Sequence, residues 1–424
     1  METTKKNSLD IGTCIEIIVA ILINLIIFSS NNILMAYTKH LALLAILFMS
    51  FDYFMRKKDF YIHLNCYKIL YLLFLCVIVS SLFICSNWGP ILNYSLIFIL
   101  GICVIFFERR KSFYYYFLKI FKICFAIFIA SMFMEAISPT LFHKIFSFAS
   151  FGDATMRALT SGGAIAGLAF EKAYAAFLCN LGLGILFAEY ISTHSKKVVF
   201  EIIFVVIALM MTGKRTLFLI PIALLLVYVL LFSKNNKLIK FSGVCLIIVS
   251  GIFLIYVFVP SASLIIDRFI DNGGDVLSGR ENFWEYAVEM FRQHPLFGNG
   301  FLTFNDYIYN KGFRYYGEMW NYQAHNVYIQ LLGETGIIGF SVFVSLILML
   351  IKNVIKFAKK TKNFWDLVLV YWVILFSVYS LTGNTLYYPC QLIVLFVCIH
   401  FISNRKYIKD ISSITRKKIK LRVF

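Results

Sequence analysis

Residues 198–233 read VVFEIIFVVIALMMTGKRTLFLIPIALLLVYVLLFS, two apolar runs separated by a short break that contains Lys214 and Arg215. Each run is long enough, or nearly so, to cross a hydrocarbon core of about 30 Å as an α-helix. The strands of a membrane β-barrel alternate in polarity and would not give runs so uniformly apolar. The segment therefore predicts two membrane-spanning helices joined by a tight hairpin.

The composition of the whole chain leads to the same class of protein. Of its 424 residues, 60% are hydrophobic and only 15% are charged, with a mean hydropathy of +0.81. Soluble domains carry about 25% charged residues, so soluble, collagen-like and disordered proteins are all excluded. The net charge of +18 would suggest nucleic acid in a soluble protein, but here its distribution across a membrane matters more. We expect an all-α polytopic membrane protein with no nucleic-acid partner.

Apolar runs long enough to form transmembrane helices recur twelve times along the chain. They lie near residues 11–29, 39–55, 69–86, 91–107, 119–137, 166–191, 198–212, 216–233, 242–260, 327–351, 364–383 and 390–404. The first run is not followed by a small-residue cleavage site, so it is expected to be retained as a span. Lys and Arg cluster at both termini and in every second connection, for example at residues 56–58 and 109–111. The positive-inside rule then predicts that both termini are cytoplasmic.

This topology divides the chain into four parts. Residues 1–260 hold transmembrane helices 1–9, residues 261–326 form an extracytoplasmic loop, residues 327–404 hold helices 10–12, and residues 405–424 form a basic cytoplasmic tail. The loop is far too long to be a simple turn, and long loops in compact proteins are often functional. We therefore expect the functional site on the outer side of the membrane.

The hairpin at residues 212–216 places Lys214 and Arg215 at the outer face, where cations are disfavoured. An ionisable side chain at membrane depth is costly unless it has a partner, which makes it a functional-site hypothesis by default. The alternative is that both side chains extend to the outer headgroups.

The long loop contains a predicted amphipathic helix over about residues 279–294. Ser278 followed by Glu281 has the spacing of a capping box at a helix start. Phe283, Ala287 and Met290 share one face, so the helix is expected to lie against the membrane part. An arginine is unfavourable near a helix N-terminus, where free N–H groups favour an anion, so Arg280 there suggests a bound phosphate. A surface ion pair between Arg280 and a carboxylate is the alternative.

His325 and Asn326 stand where the long loop re-enters the membrane. A histidine at this position can accept a proton near neutral pH, which suits a general base that acts on a sugar hydroxyl. The alternative is a helix cap or an interfacial side chain. Gly333, Gly336 and Gly339 recur at helical spacing, and we expect one glycine face that allows a neighbouring helix or lipid chain to approach closely.

A fourth, weaker element precedes the sixth span. It contains Arg157, another outer arginine, and Glu171 beside Lys172, which are placed to neutralise each other. The outer side has no Asp-x-Asp sequence, and no His, Asp or Glu cluster has metal-ligand spacing. We therefore expect no metal and no other cofactor.

Together, and in this order, these motifs resemble those of the O-antigen ligase and polymerase superfamily. Its members are integral-membrane glycosyltransferases of bacterial surface-polysaccharide assembly. Their signature is His-(Asn/Ser/Gln), nine residues, then Gly-x-x-(Gly/Thr/Tyr), and residues 325–339 satisfy every position of it. The family's x-x-(Thr/Ser)-x-x-Arg-x hairpin is similar to residues 212–215. Its Gly-Arg-x-x-x-Trp and x-Pro-x-x-Gly-x-Gly motifs are similar to residues 279–284 and 295–300.

The resemblance implies a GT-C-like fold and a donor glycan linked to undecaprenyl diphosphate. It also implies a metal-independent, inverting transfer at the periplasmic or extracellular face of the bacterial cytoplasmic membrane. In the family pattern Arg215 and Arg280 bind the diphosphate, Arg157 is a third and less clear match, and His325 activates the acceptor hydroxyl. Lys214 is added to this diphosphate site, and Asn326, Gly336 and Gly339 support it. Membrane lipid, the glycan acceptor and a chain-length regulator are the other implied partners.

Three functions remain open on the sequence. The hairpin, helix and re-entry motifs look more like those of capsule and O-antigen polymerases, which join lipid-linked repeat units. A ligase would instead transfer the glycan to lipid A–core or another acceptor. A transporter or flippase is the third function, but carriers often have two similar halves joined by a long cytoplasmic connection. Here the sixth-to-seventh connection is short and the long loop is external.

Overall fold

Helices account for all the regular structure in the part of the chain that the structure, a computed structural model, describes. That part comprises residues 11–29, 32–55, 64–82, 88–107, 111–146, 164–232, 280–312 and 323–405. The first half contains α1 (Ile11–Ile27), α2 (Asn32–Met55), α3 (Cys66–Leu82), α4 (Trp88–Phe106), α5 (Lys111–Ile137), α6 (Pro139–Ile145), α7 (Lys172–Thr193), α8 (Lys196–Met211) and α9 (Arg215–Phe232). The second half contains α10 (Glu281–Gln293), α11 (Phe304–Asn310), α12 (Val327–Thr361), α13 (Phe364–Tyr379) and α14 (Pro389–Ser403).

Eleven of the twelve predicted spans coincide with one of these helices, and the ninth, at residues 242–260, lies outside the described residues. Four helical stretches among the described residues are long and apolar enough to cross a membrane: Tyr37–Met55, Ser112–Ile137, Lys172–Thr193 and Val327–Thr361. Shorter apolar helices accompany them, including α1, α13 and α14. The protein is therefore a polytopic helical membrane protein, as its composition predicted.

The centre of the bundle is aromatic. Phe113, Phe117 and Phe121 are fully or almost fully buried and recur every four residues along α5, so they form one stripe on that helix. This stripe packs against α13 and α14: the Phe121 ring centroid lies 5.6 Å from that of Trp372, and the Phe117 centroid lies 5.4 Å from that of Phe401. Such aromatic pairs stabilise packing beyond the apolar area that they bury. They make the last two helices part of the core.

The residues before α7 do not continue its α-helix, although the sixth span was predicted to begin at residue 166: Gly167–Ala169 form one short 3₁₀ turn. Gly167 and Phe170 have φ values of 56° and 51°, in the left-handed region, and α7 begins only at Lys172. The Glu135 carboxylate of α5 accepts hydrogen bonds from the backbone nitrogens of Ala166 and Gly167 at 3.0 and 2.6 Å. Non-helical backbone is tolerated near a membrane only where its polar groups are satisfied in this way.

This segment also contacts the α8–α9 hairpin, because the backbone nitrogen of Ile165 donates to the carbonyl of Met211 at 3.0 Å. One turn into α9, the Leu217 carbonyl accepts a hydrogen bond from the Asn180 amide of α7 at 2.9 Å. The start of α9, which bears Arg215, is thereby held against α7 near Asn180.

Candidate active site

The hairpin between α8 and α9 is a tight turn, as the sequence predicted. Thr212 is fully buried, and its hydroxyl donates to the Leu209 carbonyl at 2.7 Å, which closes the end of α8. Gly213 takes a φ of 63°, a conformation that favours glycine, and α9 begins two residues later. The turn therefore places Lys214 and Arg215 next to each other, both partly exposed, at one end of the bundle.

Arg280 is the residue immediately before α10, and its side chain reaches the segment between α13 and α14. Its guanidinium donates to the Thr382 carbonyl at 3.3 Å. Burial lowers the pKa of Arg280, and the positive charge of Arg215 lowers it further. The two arginines that the family pattern assigns to the diphosphate are therefore close enough to interact, although they come from different elements.

The predicted capping box at the start of α10 is not formed in the expected register. The helix begins at Glu281 with Arg280 at the capping position, and Arg280 makes no side-chain capping bond. Glu281 is thus the first helical residue, whereas a capping box needs it to be the third. Ser278, the predicted cap, lies outside the described residues.

The amphipathic character of α10 is as predicted. Ala287 and Met290 are fully buried in a cluster with Phe304, Ile308 and Ala324, while the opposite face carries glutamates. The indole nitrogen of Trp284 donates to the Ala324 carbonyl at 2.8 Å. This bond fixes the Arg280 end of α10 next to the residue that precedes His325.

Residues 295–300, which resemble the family's second glycine motif, lie against a break in α12. Gly336 has φ 63° and ψ −170°, so the helix is interrupted there. The interruption leaves two N–H groups and two carbonyls without their intrahelical partners. Residues 295–300 supply new ones through four backbone bonds: Ile337 N to Pro295 O at 2.9 Å, Ile338 N to Leu296 O at 3.3 Å, Asn299 N to Gly333 O at 3.3 Å, and Gly300 N to Glu334 O at 2.8 Å.

The expectation of a single helical glycine face in α12 is therefore wrong at Gly336. Its glycine is required because a Cβ there would lie 2.7 Å from the Gly298 nitrogen and still closer to the Leu296 carbonyl. Gly333 instead faces α10, where a Cβ would come within 2.6 Å of the Ala287 carbonyl. Gly336 and Gly333 thus each allow the backbone of another segment to approach α12 closely.

A buried carboxylate completes this junction. Glu334, fully buried in the turn before the break, accepts hydrogen bonds from the Tyr387 hydroxyl at 2.8 Å and from the Phe304 nitrogen at 3.2 Å. It joins α12 to α11 and to the segment between α13 and α14. Because an unpaired buried carboxylate would be costly, these donors fix the relative positions of the three elements.

His325 lies at the start of α12 in a left-handed conformation, with φ 52°. The next residue, Asn326, caps the helix: its side-chain oxygen accepts from the backbone nitrogens of Tyr328 and Ile329 at 3.1 and 3.2 Å. The Nδ1 atom of His325 lies 3.2 Å from the amide nitrogen of Asn384. The cap therefore belongs to Asn326, and the His325 ring contacts a different element.

The surroundings of His325 keep its ring neutral. Partial burial lowers its pKa to about 4, and the positive charges of Arg280 and Lys214 contribute to that shift. A histidine with this pKa is unprotonated at neutral pH, so its ring can accept a proton. The same shift shows that the hairpin, α10 and the start of α12 converge on one site.

Residues 380–388, between α13 and α14, form a part of this site that the sequence reasoning missed. The carbonyl of Ser380 accepts from the Val327 nitrogen at 2.8 Å, the Thr382 carbonyl binds Arg280, and Asn384 contacts His325. A polar Thr-Gly-Asn-Thr run between the last two apolar spans was the available signal. The predicted span at residues 364–383 included part of it, whereas α13 ends at Tyr379.

Glu171, which the sequence analysis paired only with Lys172, also contributes to the site. Its side chain caps α7 by accepting from the Ala173 nitrogen at 3.2 Å. Desolvation by the surrounding protein raises its pKa. Lys214 opposes this rise more strongly than Lys172 does. The main cationic neighbour of Glu171 is therefore a site residue and not the adjacent lysine that the sequence suggested.

Arg157 and Gly279 lie outside the described residues, so the role of Arg157 stays a prediction. Of the other predicted site residues, Lys214, Arg215, Arg280 and His325 come together, while Asn326, Gly336 and Gly339 lie in the helix that supports them.

Residues 200–344 match the family model described as O-antigen ligase. This part of the chain is therefore similar to the O-antigen ligase family. The matched residues include most of α8, the hairpin with Lys214 and Arg215, α10, and α12 through the break at Gly336 as far as residue 344. The match confirms the resemblance to the O-antigen ligase and polymerase superfamily and supports an enzyme of the glycosyltransferase-like type. Residues 380–388 lie beyond the matched domain, and no curated protein matches the sequence.

Proposed function

We propose that the protein transfers a glycan from undecaprenyl diphosphate to a glycan acceptor at the outer face of the bacterial cytoplasmic membrane. Arg215 and Arg280, with Lys214 and Arg157, bind the diphosphate, and His325 is the general base. The observation that carries the proposal is the effect of Arg280 and Lys214 on the His325 ring, because it brings the base and the anion-binding groups into one site.

In the proposed complex the donor diphosphate lies against Arg215 and Arg280. Guanidinium groups bind phosphate oxygens in bidentate geometry, and Arg215 and Arg280 are neighbours. As the bond between the anomeric carbon and the diphosphate breaks, the diphosphate leaves with the electron pair. Positive groups already in place stabilise that developing charge in the transition state.

His325 acts on the acceptor. It removes the proton of the acceptor hydroxyl while the oxygen attacks the anomeric carbon from the face opposite the diphosphate, so the transfer inverts the anomeric configuration. A bound diphosphate offsets the charges of Arg280 and Lys214, which raises the pKa of His325. The base therefore becomes stronger when the donor is present.

The twelve-span topology with cytoplasmic termini, in a GT-C-like arrangement, is part of the proposal. In that topology the α8–α9 hairpin, the start of α12 and the α13–α14 connection are all on the outer side. Contacts within the described residues support it, since Arg280 reaches Thr382 and the Val327 nitrogen reaches Ser380. A chain-length regulator as a partner stays a prediction from the family.

The reaction is proposed to be polymerisation of lipid-linked repeat units, and ligation to lipid A–core or another acceptor is the second candidate. The test uses purified protein in lipid with repeat units extracted from cells that lack this enzyme. A ladder of lengthening glycans without any other acceptor, absent with His325→Ala, supports a polymerase. Transfer only after lipid A–core is added makes the protein a ligase, and no transfer in either assay would favour the transporter.

A further inference from the structure

Asn384 is buried at the site, where its side chain interacts with His325 and with the Tyr388 hydroxyl. Its side chain is 3% exposed, and its Nδ2 atom lies 3.2 Å from Nδ1 of His325. Its Oδ1 atom is buried without a hydrogen-bond partner among the described residues. A buried carbonyl oxygen left unpaired costs about 1–3 kcal/mol, so a native structure is expected to give it a donor.

The orientation of this amide determines which ring nitrogen of His325 is basic. The oxygen and nitrogen of a carboxamide exchange by a half-turn with almost no change of shape. If the amide nitrogen faces Nδ1, the neutral ring carries its proton on Nε2 and cannot act there as a base. If the oxygen faces Nδ1, that nitrogen keeps the proton and Nε2 is free. The half-turn also gives the unpaired oxygen a donor.

Protonation of His325 favours the same orientation of the Asn384 amide, with its oxygen towards Nδ1. Once His325 has accepted a proton, both ring nitrogens are donors, so an N–H group of Asn384 would then oppose Nδ1–H. A carbonyl oxygen at this place stabilises the imidazolium without adding the full negative charge of a carboxylate. The charged groups that act on the ring are Arg280 and Lys214, with Glu171 next to Lys214.

We propose that Asn384 presents its carbonyl oxygen to Nδ1–H of His325 and is the positioning residue that makes Nε2 the catalytic base. This rests on the proposed function, in which His325 is the base. The segment that contains Asn384 also binds Arg280 through Thr382, so one connection orients both the base and a phosphate ligand.

The test compares Asn384→Asp and Asn384→Ala with a matched control, Asn310→Asp, at the exposed end of α11. The assay follows glycan transfer from extracted lipid-linked repeat units across a range of pH. A carboxylate can only accept, so Asn384→Asp keeps the tautomer and should retain turnover within about tenfold. Its charge should also move the acid limb of the kcat profile upward by about 1–3 pH units.

Asn384→Ala leaves the ring free to take either tautomer and leaves the imidazolium unsupported. We expect kcat to fall about 10- to 100-fold, the range seen when a group that orients a histidine is removed, with the donor KM nearly unchanged. Asn310→Asp should match the unmodified protein in kcat and in pH profile.

Two results would overturn the proposal. One is an Asn384→Asp protein that elutes as a monodisperse species yet is inactive at every pH, because this means that Nε2 must carry the proton. The other is an unchanged kcat in Asn384→Ala, which also tests the proposal if the carboxylate variant does not insert. His325→Ala separates this proposal from the proposed function: full activity there removes His325 as the base, whereas loss there with normal Asn384 variants removes only the role of Asn384.

Discussion

The junction between the break in α12 and residues 295–300 predicts a large effect for Gly336→Ala. The φ and ψ of Gly336 lie in a region that is almost restricted to glycine, which costs about 1–3 kcal/mol for another residue. The added Cβ would also lie 2.7 Å from the Gly298 nitrogen, against rigid backbone and not a flexible side chain. Residues 295–300 and the break in α12 must then separate, and each of the four backbone hydrogen bonds between them is worth about 0.5–1.5 kcal/mol.

We therefore expect Gly336→Ala to destabilise the junction by about 3–9 kcal/mol if all four bonds are lost. Separation releases residues 295–300 and with them the end of α10, so Arg280 loses its position and transfer activity should fall with stability. The measurements are the thermal unfolding midpoint of purified protein in lipid and the rate of glycan transfer by the same preparation.

Gly312→Ala is the matched control. Gly312 has φ 88°, and a Cβ there would meet none of the described residues within 4 Å, so this variant carries backbone strain without the collision. It should lower the midpoint only slightly and keep its activity. If Gly336→Ala unfolds at the same temperature as Gly312→Ala and transfers glycan normally, the junction does not position the site and the reasoning is refuted.

The remaining predictions concern charge and proton transfer. His325→Ala should abolish the product while membrane insertion and the elution profile stay normal, and retained activity would exclude it as the base. Arg280→Ala and Arg215→Ala should raise the donor KM, and the lysine variants should recover only part of it because bidentate geometry is lost; normal donor use would refute the assignment. The base must be unprotonated, so kcat/KM should fall as pH drops through about 4, the pKa of His325 in the free enzyme. The acid limb of the kcat profile should lie at higher pH than that of kcat/KM, because bound diphosphate raises the pKa of His325. Acid limbs at the same pH would argue against a diphosphate beside the ring. Glu171→Gln removes the carboxylate that opposes Lys214, so it should lower the donor KM, and an unchanged KM would place Glu171 outside the donor site.

The helical spans and the main site residues could be read from local patterns. Apolar runs predict helices because a bilayer leaves an isolated segment no other way to satisfy its backbone. The cost of a cation at membrane depth marked Lys214 and Arg215 for the same reason. The turn at Gly213 and the apolar face of α10 also depend on neighbouring residues, and both have the predicted form.

Other features depend on residues that are distant in sequence. Spacing alone suggested that Gly336 continues a helical face. The helix is instead broken there, because residues 295–300 provide replacement hydrogen-bond partners. The start of α7 was likewise misplaced, since the carboxylate that holds the preceding backbone belongs to α5. Glu171 was paired with its neighbour Lys172, although Lys214 acts on it more strongly.

The sequence by itself determined that this is a helical membrane protein with two cations between apolar runs and a histidine at a helix start. Hydropathy, charge cost and motif spacing are properties of a segment and its solvent, so they can be evaluated without knowing which residues the segment contacts. Only the tertiary structure decided which of these residues meet. It also added Asn384 and Thr382, which lie in a connection that the sequence analysis had not assigned to the site. A hydrogen bond or a pKa shift needs two groups within a few ångströms, and that distance is decided by how the helices pack.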